Sequence, residues 1–326
     1  MADNTAAGFR SGFSLRRVVR NQAFSLVVVL VAMIVFFSFV SRSFLTPDNL
    51  FSMLRQIAIL MIAAFGTTYL MISGGIDLTL GSNLALTGIA CTYAIVFWHW
   101  PIWLGVLLGI GVGASVGLVN ALIVTKVKIA PIITTLGMLQ VVRGLALLWS
   151  NGRPIYFDNP AFLAIGRGDV WVIPIPVLLA VVVFLVLMVL LNRTYIGTYI
   201  YAIGGNKEAA WLSGINISAV QFFLFILSGF LAGIGGVVLA SRLGTGLPTS
   251  GVGFEFDVIT AVLVGGTSIF GGKGKIQGTI LGGLIIGILA NGLVLLNVQS
   301  FYQTLIKGAL LLVAVGIETV RSKSAV

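Results

Sequence analysis

The sequence predicts an all-α polytopic membrane protein with about ten transmembrane helices, some broken or re-entrant, and three observations carry that prediction. Hydrophobic residues make up 58% of the 326 positions and charged residues only 9%, against roughly 25% charged in an average soluble domain. The mean hydropathy is +1.11, so the solvent for most of the chain is lipid. Several stretches reach the roughly 20 apolar residues that cross a bilayer without an ionised side chain inside them.

Apolar runs and their breakers mark ten segments, near 24–40, 54–73, 81–97, 103–124, 131–149, 173–191, 219–240, 258–270, 276–296 and 304–320. The first follows Arg10, Arg16, Arg17 and Arg20 and superficially resembles a signal peptide. It is longer than the usual signal core, lacks a convincing small-x-small site and precedes further spans, so it is expected to be retained. The eighth is short and ends in the glycine-rich stretch Gly265 to Gly274, the pattern of a broken or re-entrant helix. The expected organisation is a cytoplasmic segment 1–22, one membrane domain 23–320 with a cytoplasmic loop 192–218, and a cytoplasmic tail 321–326.

Nineteen Lys and Arg against nine acids give a formal charge of +10. Nucleic acid is not the expected partner, because no basic face interleaved with aromatics and no soluble domain is present; the basic residues suit cytoplasmic loops. With the N-terminus inside, twelve positives are cytoplasmic: the four N-terminal arginines, Lys126, Lys128, Arg193, Lys207, Lys273, Lys275, Arg321 and Lys323. Five lie opposite: Arg42, Arg55, Arg153, Arg167 and Arg242. This asymmetry places both termini in the cytoplasm. Trp98, Trp100 and Trp103 gather at one outer boundary, where they suit interfacial anchoring.

Most of the 41 glycines are expected to let helices approach closely: Gly105, Gly109 and Gly113 recur every four residues, as do Gly283 and Gly287. Two glycine-containing stretches instead interrupt apolar runs with polar groups, Ser73-Gly74-Gly75-Ile76-Asp77-Leu78-Thr79-Leu80-Gly81-Ser82-Asn83 and Gly244-Thr245-Gly246-Leu247-Pro248-Thr249-Ser250-Gly251. Irregular backbone at membrane depth is tolerated only where protein buries it or water reaches it. The two breaks fall on opposite membrane faces, an arrangement that an inverted repeat would produce.

Chemistry-bearing residues are few. Around Gly271-Gly272-Lys273-Gly274-Lys275 the glycine spacing fails the phosphate-binding loop, and no hydroxyl residue follows either lysine, so no ATPase site is expected. One histidine, His99, and one cysteine, Cys91, support neither a metal nor a cofactor, and Cys91 reads as a small packing residue. Ionisable groups inside spans are costly and have a partner or a task. Asp77 suits either a substrate path or an ion pair with Arg143 or Lys307. Ser82, Asn83, Thr134, Thr135 and Asn291 either line a path or hydrogen-bond neighbouring helices. In the loop 192–218, Lys207 to Ser213 predicts a short helix, started by Gly205 and Asn206 and stopped by Gly214, with Trp211 and Leu212 presenting apolar side chains outside the bundle. It either lies on the membrane surface or docks a cytoplasmic partner.

Glu208-Ala209-Ala210 followed by Gly214 resembles the E-A-A-x-x-x-G coupling motif of binding-protein-dependent ABC importer permeases. Together with Ser73 to Ser82, Gly204 to Ile217 and the run Gly265 to Thr279, it resembles the ribose, arabinose and xylose permease family, in order from about Phe44 to Tyr302. The resemblance implies an inner-membrane subunit that translocates a monosaccharide by alternating access and has no ATPase site of its own. It also implies three kinds of partner: a second permease subunit, identical or homologous, a cytoplasmic ABC ATPase and a periplasmic substrate-binding protein. Lys207, Glu208, Ala209, Ala210, Trp211, Leu212 and Gly214 would form the helix that seats in the ATPase. A proton-coupled secondary transporter is the alternative, with Asp77 as its titratable carboxylate.

Overall fold

A computed structural model describes residues 22–323. The four N-terminal arginines, nearly all of the expected segment 1–22, residues 324–326 and the side chains of Arg321 and Lys323 lie outside what is described.

Nine of the ten apolar runs coincide with a helix, and the eighth overlaps one only in part. The helices are α1 (Gln22–Val40), α2 (Pro47–Ile72), α3 (Leu80–Val96), α4 (Ile102–Leu122), α5 (Pro131–Trp149), α7 (Ile175–Arg193), α10 (Ile217–Leu243), α11 (Phe254–Val264), α12 (Ile276–Leu295) and α13 (Ser300–Lys323). Two helices in connections were not anticipated, α6 (Pro160–Arg167) and α8 (Tyr195–Gly205), whereas α9 (Lys207–Leu212) is the short helix expected from Lys207 to Ser213. Two short antiparallel pairs join β1 (Ile155–Tyr156) to β4 (Thr245–Gly246) and β2 (Asp169–Val170) to β3 (Ile173–Pro174).

Among the described residues six helices are long and apolar enough to cross a membrane: α2, α4 with its extension to Val127, α5, α7, α10 and α12. Shorter apolar stretches are Phe24–Val40, Leu80–Val96 and Ser300–Gly316. The eighth expected span is displaced: its helix, α11, is Phe254–Val264, and the residues beyond Gly265 are turns. Eleven residues at 1.5 Å each give about 16 Å, half the hydrocarbon thickness, so α11 does not cross.

Local signals set the boundaries. Prolines open α2 and α5 at a position where the missing N–H costs nothing. Asn206 and Asn216 accept from Ala209 and Ala219 N–H to cap α9 and α10. Gly244 closes α10 in the left-handed region at φ 73°. α4 ends in a π turn, Ile123–Val127, closed by Lys128 at φ 64°.

The bundle has two distinguishable ends. At one, Arg55 pairs with Asp169 at 2.7 Å, Arg167 donates to the Arg242 carbonyl, and β1 meets β4. At the other, the Gly272 N–H donates to Ile72 O at 2.8 Å and Tyr201 Oη donates to Gly274 O at 2.7 Å, which ties α8 and the 265–275 turns to the end of α2. These are called the α6 end and the α9 end. α2 runs from the first to the second and α10 runs back.

Contacts around these two long helices correspond in pairs. α2 packs on α10; α10 also packs on α3 and α4, while α2 packs on α11 and α12. α3 packs on α4 and α5, and α11 on α12 and α13. Small residues allow the tightest seams. A Cβ added at Gly113 of α4 would stand 2.6 Å from Gly233 Cα of α10, and one at Gly283 of α12 would stand 2.7 Å from Met61 of α2. Both glycine repeats seen in the sequence are therefore packing surfaces. Cys91 is fully buried in the α3–α4 seam beside Gly109.

The seam yields a matched test. Gly113→Val should cost about 1–3 kcal/mol by overpacking against backbone, whereas Gly111→Val, with nothing within 4 Å of its added Cβ, should stay within about 0.5 kcal/mol. Thermal midpoints of the two variants in detergent check this; equal midpoints would sink the close-packed α4–α10 seam.

Candidate functional site

Two regions combine polar groups with irregular backbone: the place where the chain breaks between α2 and α3 and between α10 and α11, and the surface built by α9.

The first break, residues 73–79, turns inward from the α9 end. Asp77 is fully buried there. Its Oδ1 accepts from Thr79 N–H at 2.9 Å and Thr79 Oγ1 at 2.5 Å, and its Oδ2 accepts from Ser228 Oγ of α10 at 2.7 Å. Asn120 of α4 donates to Thr79 Oγ1 at 3.1 Å. Thr135 of α5 donates to Ile76 O at 3.3 Å as well as to Pro131 O in its own helix at 2.9 Å. Three helices thus hold the break, and the ion pair considered for Asp77 does not form. Arg143 and Lys307 are engaged elsewhere.

The second break, residues 244–253, enters from the α6 end. Arg143 of α5 reaches across to it, one guanidinium nitrogen donating to Pro248 O and to Ser250 O, each at 2.7 Å. Lys307 of α13 pairs with Asp257 of α11 at 2.7 Å, with side chains 30% and 22% exposed. Gly251 and Gly253 both hold left-handed backbone. The two breaks meet: a Cβ at Gly251 would stand 2.6 Å from Gly81 O, and one at Gly81 would strike Gly251 O and the Glu255 carboxylate. The N-terminal ends of the two short helices α3 and α11 therefore abut inside the bundle.

The remaining candidates are placed as follows. Ser82 donates to Thr79 O at 3.0 Å. Asn83 donates at 3.2 Å to Gly113 O of α4 and to Gly229 O of α10, so it ties three helices, while its Oδ1 has no partner. Asn291 exchanges amide hydrogen bonds with Asn49 at the start of α2, at 2.8 and 3.1 Å. Thr134 is buried with no partner for its hydroxyl. The structure thus gathers Asp77, Ser82, Asn83 and Thr135 around the breaks and separates Asn291 from them. Sequence reasoning missed Ser228 and Asn120, polar residues set inside long apolar helices, and that placement was the available signal.

At the α9 end, α9 is a six-residue helix whose Ala210 is buried against the bundle. Lys207, Glu208, Ala209, Trp211 and Leu212 all face outward, Trp211 67% and Leu212 72% exposed. Gly214, at φ 81°, closes the helix: its N–H reaches Trp211 O at 2.9 Å and the next N–H reaches Ala210 O at 3.1 Å. Only a residue tolerant of positive φ makes this stop cheaply. The preceding Gly204 packs directly on Ile72 O and on the Gly272 backbone. α8, which leads into α9, is consequently seated on the end of α2, one residue before the first break.

A family described as the permease component of branched-chain amino acid transport systems matches residues 49–315. Ribose import permease protein RbsC of Haemophilus influenzae is 40% identical over 319 residues, covering 97% of this chain and 97% of that one. The Bacillus subtilis protein of the same name is 44% identical over 295 residues, 90% of this chain and 91% of the relative. L-arabinose transport system permease protein AraH of Escherichia coli is 34% identical over 315 residues, 97% and 95% of the two chains. No solved structure matches the chain.

Two measurements follow from this geometry. Ser228→Ala should lower stability by about 1–3 kcal/mol, because a buried carboxylate oxygen loses its donor; a thermal midpoint equal to that of the native chain would show that the contact holds nothing. Arg143→Gln should loosen the second break, raising thiol labelling of a Ser250→Cys probe roughly tenfold, as expected for about 1.4 kcal/mol less local stability. Unchanged labelling would mean that Arg143 does not restrain it.

Proposed function

This chain belongs to the family of permease components of binding-protein transport systems matched over residues 49–315, and from that premise we propose that it is the membrane-spanning subunit of an ATP-driven importer of a monosaccharide. The observation that carries the reading is α9: a short, glycine-stopped helix that offers Glu208, Trp211 and Leu212 outward while its base is packed against α8 and α10. Apolar and acidic groups presented together on a rigid base suit docking better than lying on lipid. The sugar cargo follows from the ribose and arabinose permeases among the relatives.

In this reading the region 23–320 forms one permease domain, Lys207 to Gly214 seat in a cytoplasmic ABC ATPase, and the α9 end faces the cytoplasm with both chain termini. Lys126, Lys128, Arg193, Lys207, Lys273 and Lys275 gather at that end, as cytoplasmic basic residues do. A periplasmic binding protein would then dock at the α6 end. The half-buried Arg143 and the Asp257–Lys307 pair reach the surface of the α5, α11 and α13 face. A charge near the bilayer centre costs about 2.5–3.5 kcal/mol on insertion scales, so this face turns toward a second permease chain or the aqueous path between the two, with ten segments entering or crossing the membrane.

Movement of α9 by the ATPase has a short mechanical route. Gly204 bears on Ile72, Ile72 opens the first break, and the first break meets the second at Gly81 and Gly251. The matched contacts of α2 and α10 form an inverted repeat in this reading, and its two breaks are the elements that switch access between faces. No bond in this chain changes; it transmits a two-state rearrangement. The proton-coupled alternative loses its support. Asp77 is enclosed by hydroxyl donors from α10 and its own turn, and the relatives are import permeases.

Co-expression with a tandem ABC ATPase tests the reading. The native chain should retain the ATPase through purification, and Glu208→Arg and Gly214→Trp should each release most of it while still inserting in membranes. If the native chain captures no ATPase and reconstituted vesicles instead move solute down a pH gradient, the importer reading fails.

A further inference from the structure

A cavity lies beside α9. It measures about 820 Å³ and opens between the α9–α10 link, the π turn that ends α4 and the start of α5. Lys128, Lys207, Gln221, Thr125, Trp211 and Ile129 are among its walls, and no acidic side chain lines it. Two helices begin at its wall, α5 at Pro131 and α10 at Ile217. A helix start presents N–H groups without partners in the helix and the positive end of its dipole; here Pro131 carries no N–H and Asn216 already accepts the Ala219 N–H, so the neighbouring first-turn N–H groups and the two dipoles are what the cavity receives.

Gln221 supplies the independent observation. It is 7% exposed, lies one turn inside α10, lines the cavity and makes no hydrogen bond among the described residues. Its amide opens into the cavity with no protein group bonded to it, so both its donor and its acceptor are free to meet a ligand there. Lys128 adds a second peculiarity: it is a non-glycine residue held at φ 64°, and that turn places it on the cavity wall. Thr125 does not contribute its hydroxyl proton, which is used on Ala121 O at 2.6 Å.

We propose that this cavity binds a phosphate group, with Lys128 and Lys207 neutralising its charge, Gln221 donating to one oxygen and the starts of α5 and α10 facing the others. Two cations, a free amide and two helix starts without an opposing carboxylate make an anion site, and phosphate matches that donor set. An uncharged sugar does not need the two lysines. The group comes either from the headgroup of an anionic lipid or from free phosphate in solution. Exposed Val127, Trp211 and Leu212 near the rim give the mouth an apolar border suited to a headgroup with its acyl chains. The inference rests on the cavity and not on the importer reading, so its test uses the chain without any ATPase.

The purified full chain is placed in phosphatidylcholine nanodiscs, and the fluorescence contributed by Trp211 is isolated by subtracting a Trp211→Phe sample. Separate arms add phosphatidylglycerol to the discs, inorganic phosphate to the buffer, or ribose to the buffer. A saturable response to phosphatidylglycerol alone assigns a lipid headgroup. A response to inorganic phosphate assigns the free anion. In either case Lys128→Gln and Gln221→Leu should weaken the response about tenfold, whereas Lys273→Gln, which removes the same charge elsewhere at this end, should not. Should Gln221→Leu not elute as a single species, Gln221→Glu, which puts a negative charge into the cavity, takes its place. The proposal is overturned by a response to ribose alone, by no response in any arm, by undiminished responses in the cavity variants, or by equal losses in Lys273→Gln.

Discussion

The meeting of Gly81 with Gly251 is the contact on which the rest of the architecture depends. Each of the long helices α2 and α10 runs into a chain break and then a short helix, and inside hydrocarbon every exposed N–H and C=O costs several kcal/mol. The chain meets that requirement by placing the breaks against each other and surrounding them with side chains that bond to their backbone. Thr135 takes Ile76 O, Arg143 takes Pro248 O and Ser250 O, and Asp77 accepts the Thr79 N–H. A Cβ at Gly81 would strike the Gly251 carbonyl and the Glu255 carboxylate, so no larger residue permits the meeting. α4 and α12, which cover the two long helices, are correspondingly rich in glycine where they touch them.

Much of this was legible in the sequence, for identifiable reasons. Apolar length and turn residues found the six helices long enough to cross a membrane because lipid makes such segments long and unambiguous. α9 was legible because its stop and start are local: Asn206 caps it and Gly214 ends it. The end of α11 was misplaced because Gly265-Gly266-Thr267-Ser268-Ile269-Phe270 remains apolar although its backbone turns; Gly266 and Gly271 take positive φ and the Gly272 N–H serves Ile72. Tertiary contact overrode hydropathy there. α8 was hidden for the opposite reason. Its glycines and tyrosines read as a loop, but it packs on α7 and α2 with Tyr201 bonded to Gly274 O.

The candidate site was legible as residue types and not as roles. Asp77 stood out as a charge at membrane depth, and electrostatics alone suggests a cation as its partner. The structure uses the hydroxyls of Thr79 and Ser228 instead. Local spacing explains the first, since Thr79 lies two residues on and closes a small turn. The second comes from 151 residues away, and nothing short of the fold reveals it. Asn83 and Asn291 show the same limit: each is a helix tie, worth about 0.6 kcal/mol per hydrogen bond on average in membranes, and neither spacing nor composition separates a tie from a lining residue.

The α9 end concentrates two demands on a few residues. The link from α9 into α10, Gly214 to Ser218, also forms one wall of the proposed phosphate cavity. Gly74, in the first break, reaches that cavity from the other side. A ligand held there touches the start of α10, the end of α4 and the first break at once, and it can bias whichever arrangement of these elements fits it better. Any such bias equals the difference in the ligand's affinity between the two arrangements. Because Gly204 of α8, just before α9, bears on Ile72, and Ile72 leads directly into the break that meets Gly251, occupancy of the cavity and the proposed engagement of α9 would act on the same elements. They are coupled through shared backbone, without a separate relay of side chains across the bundle.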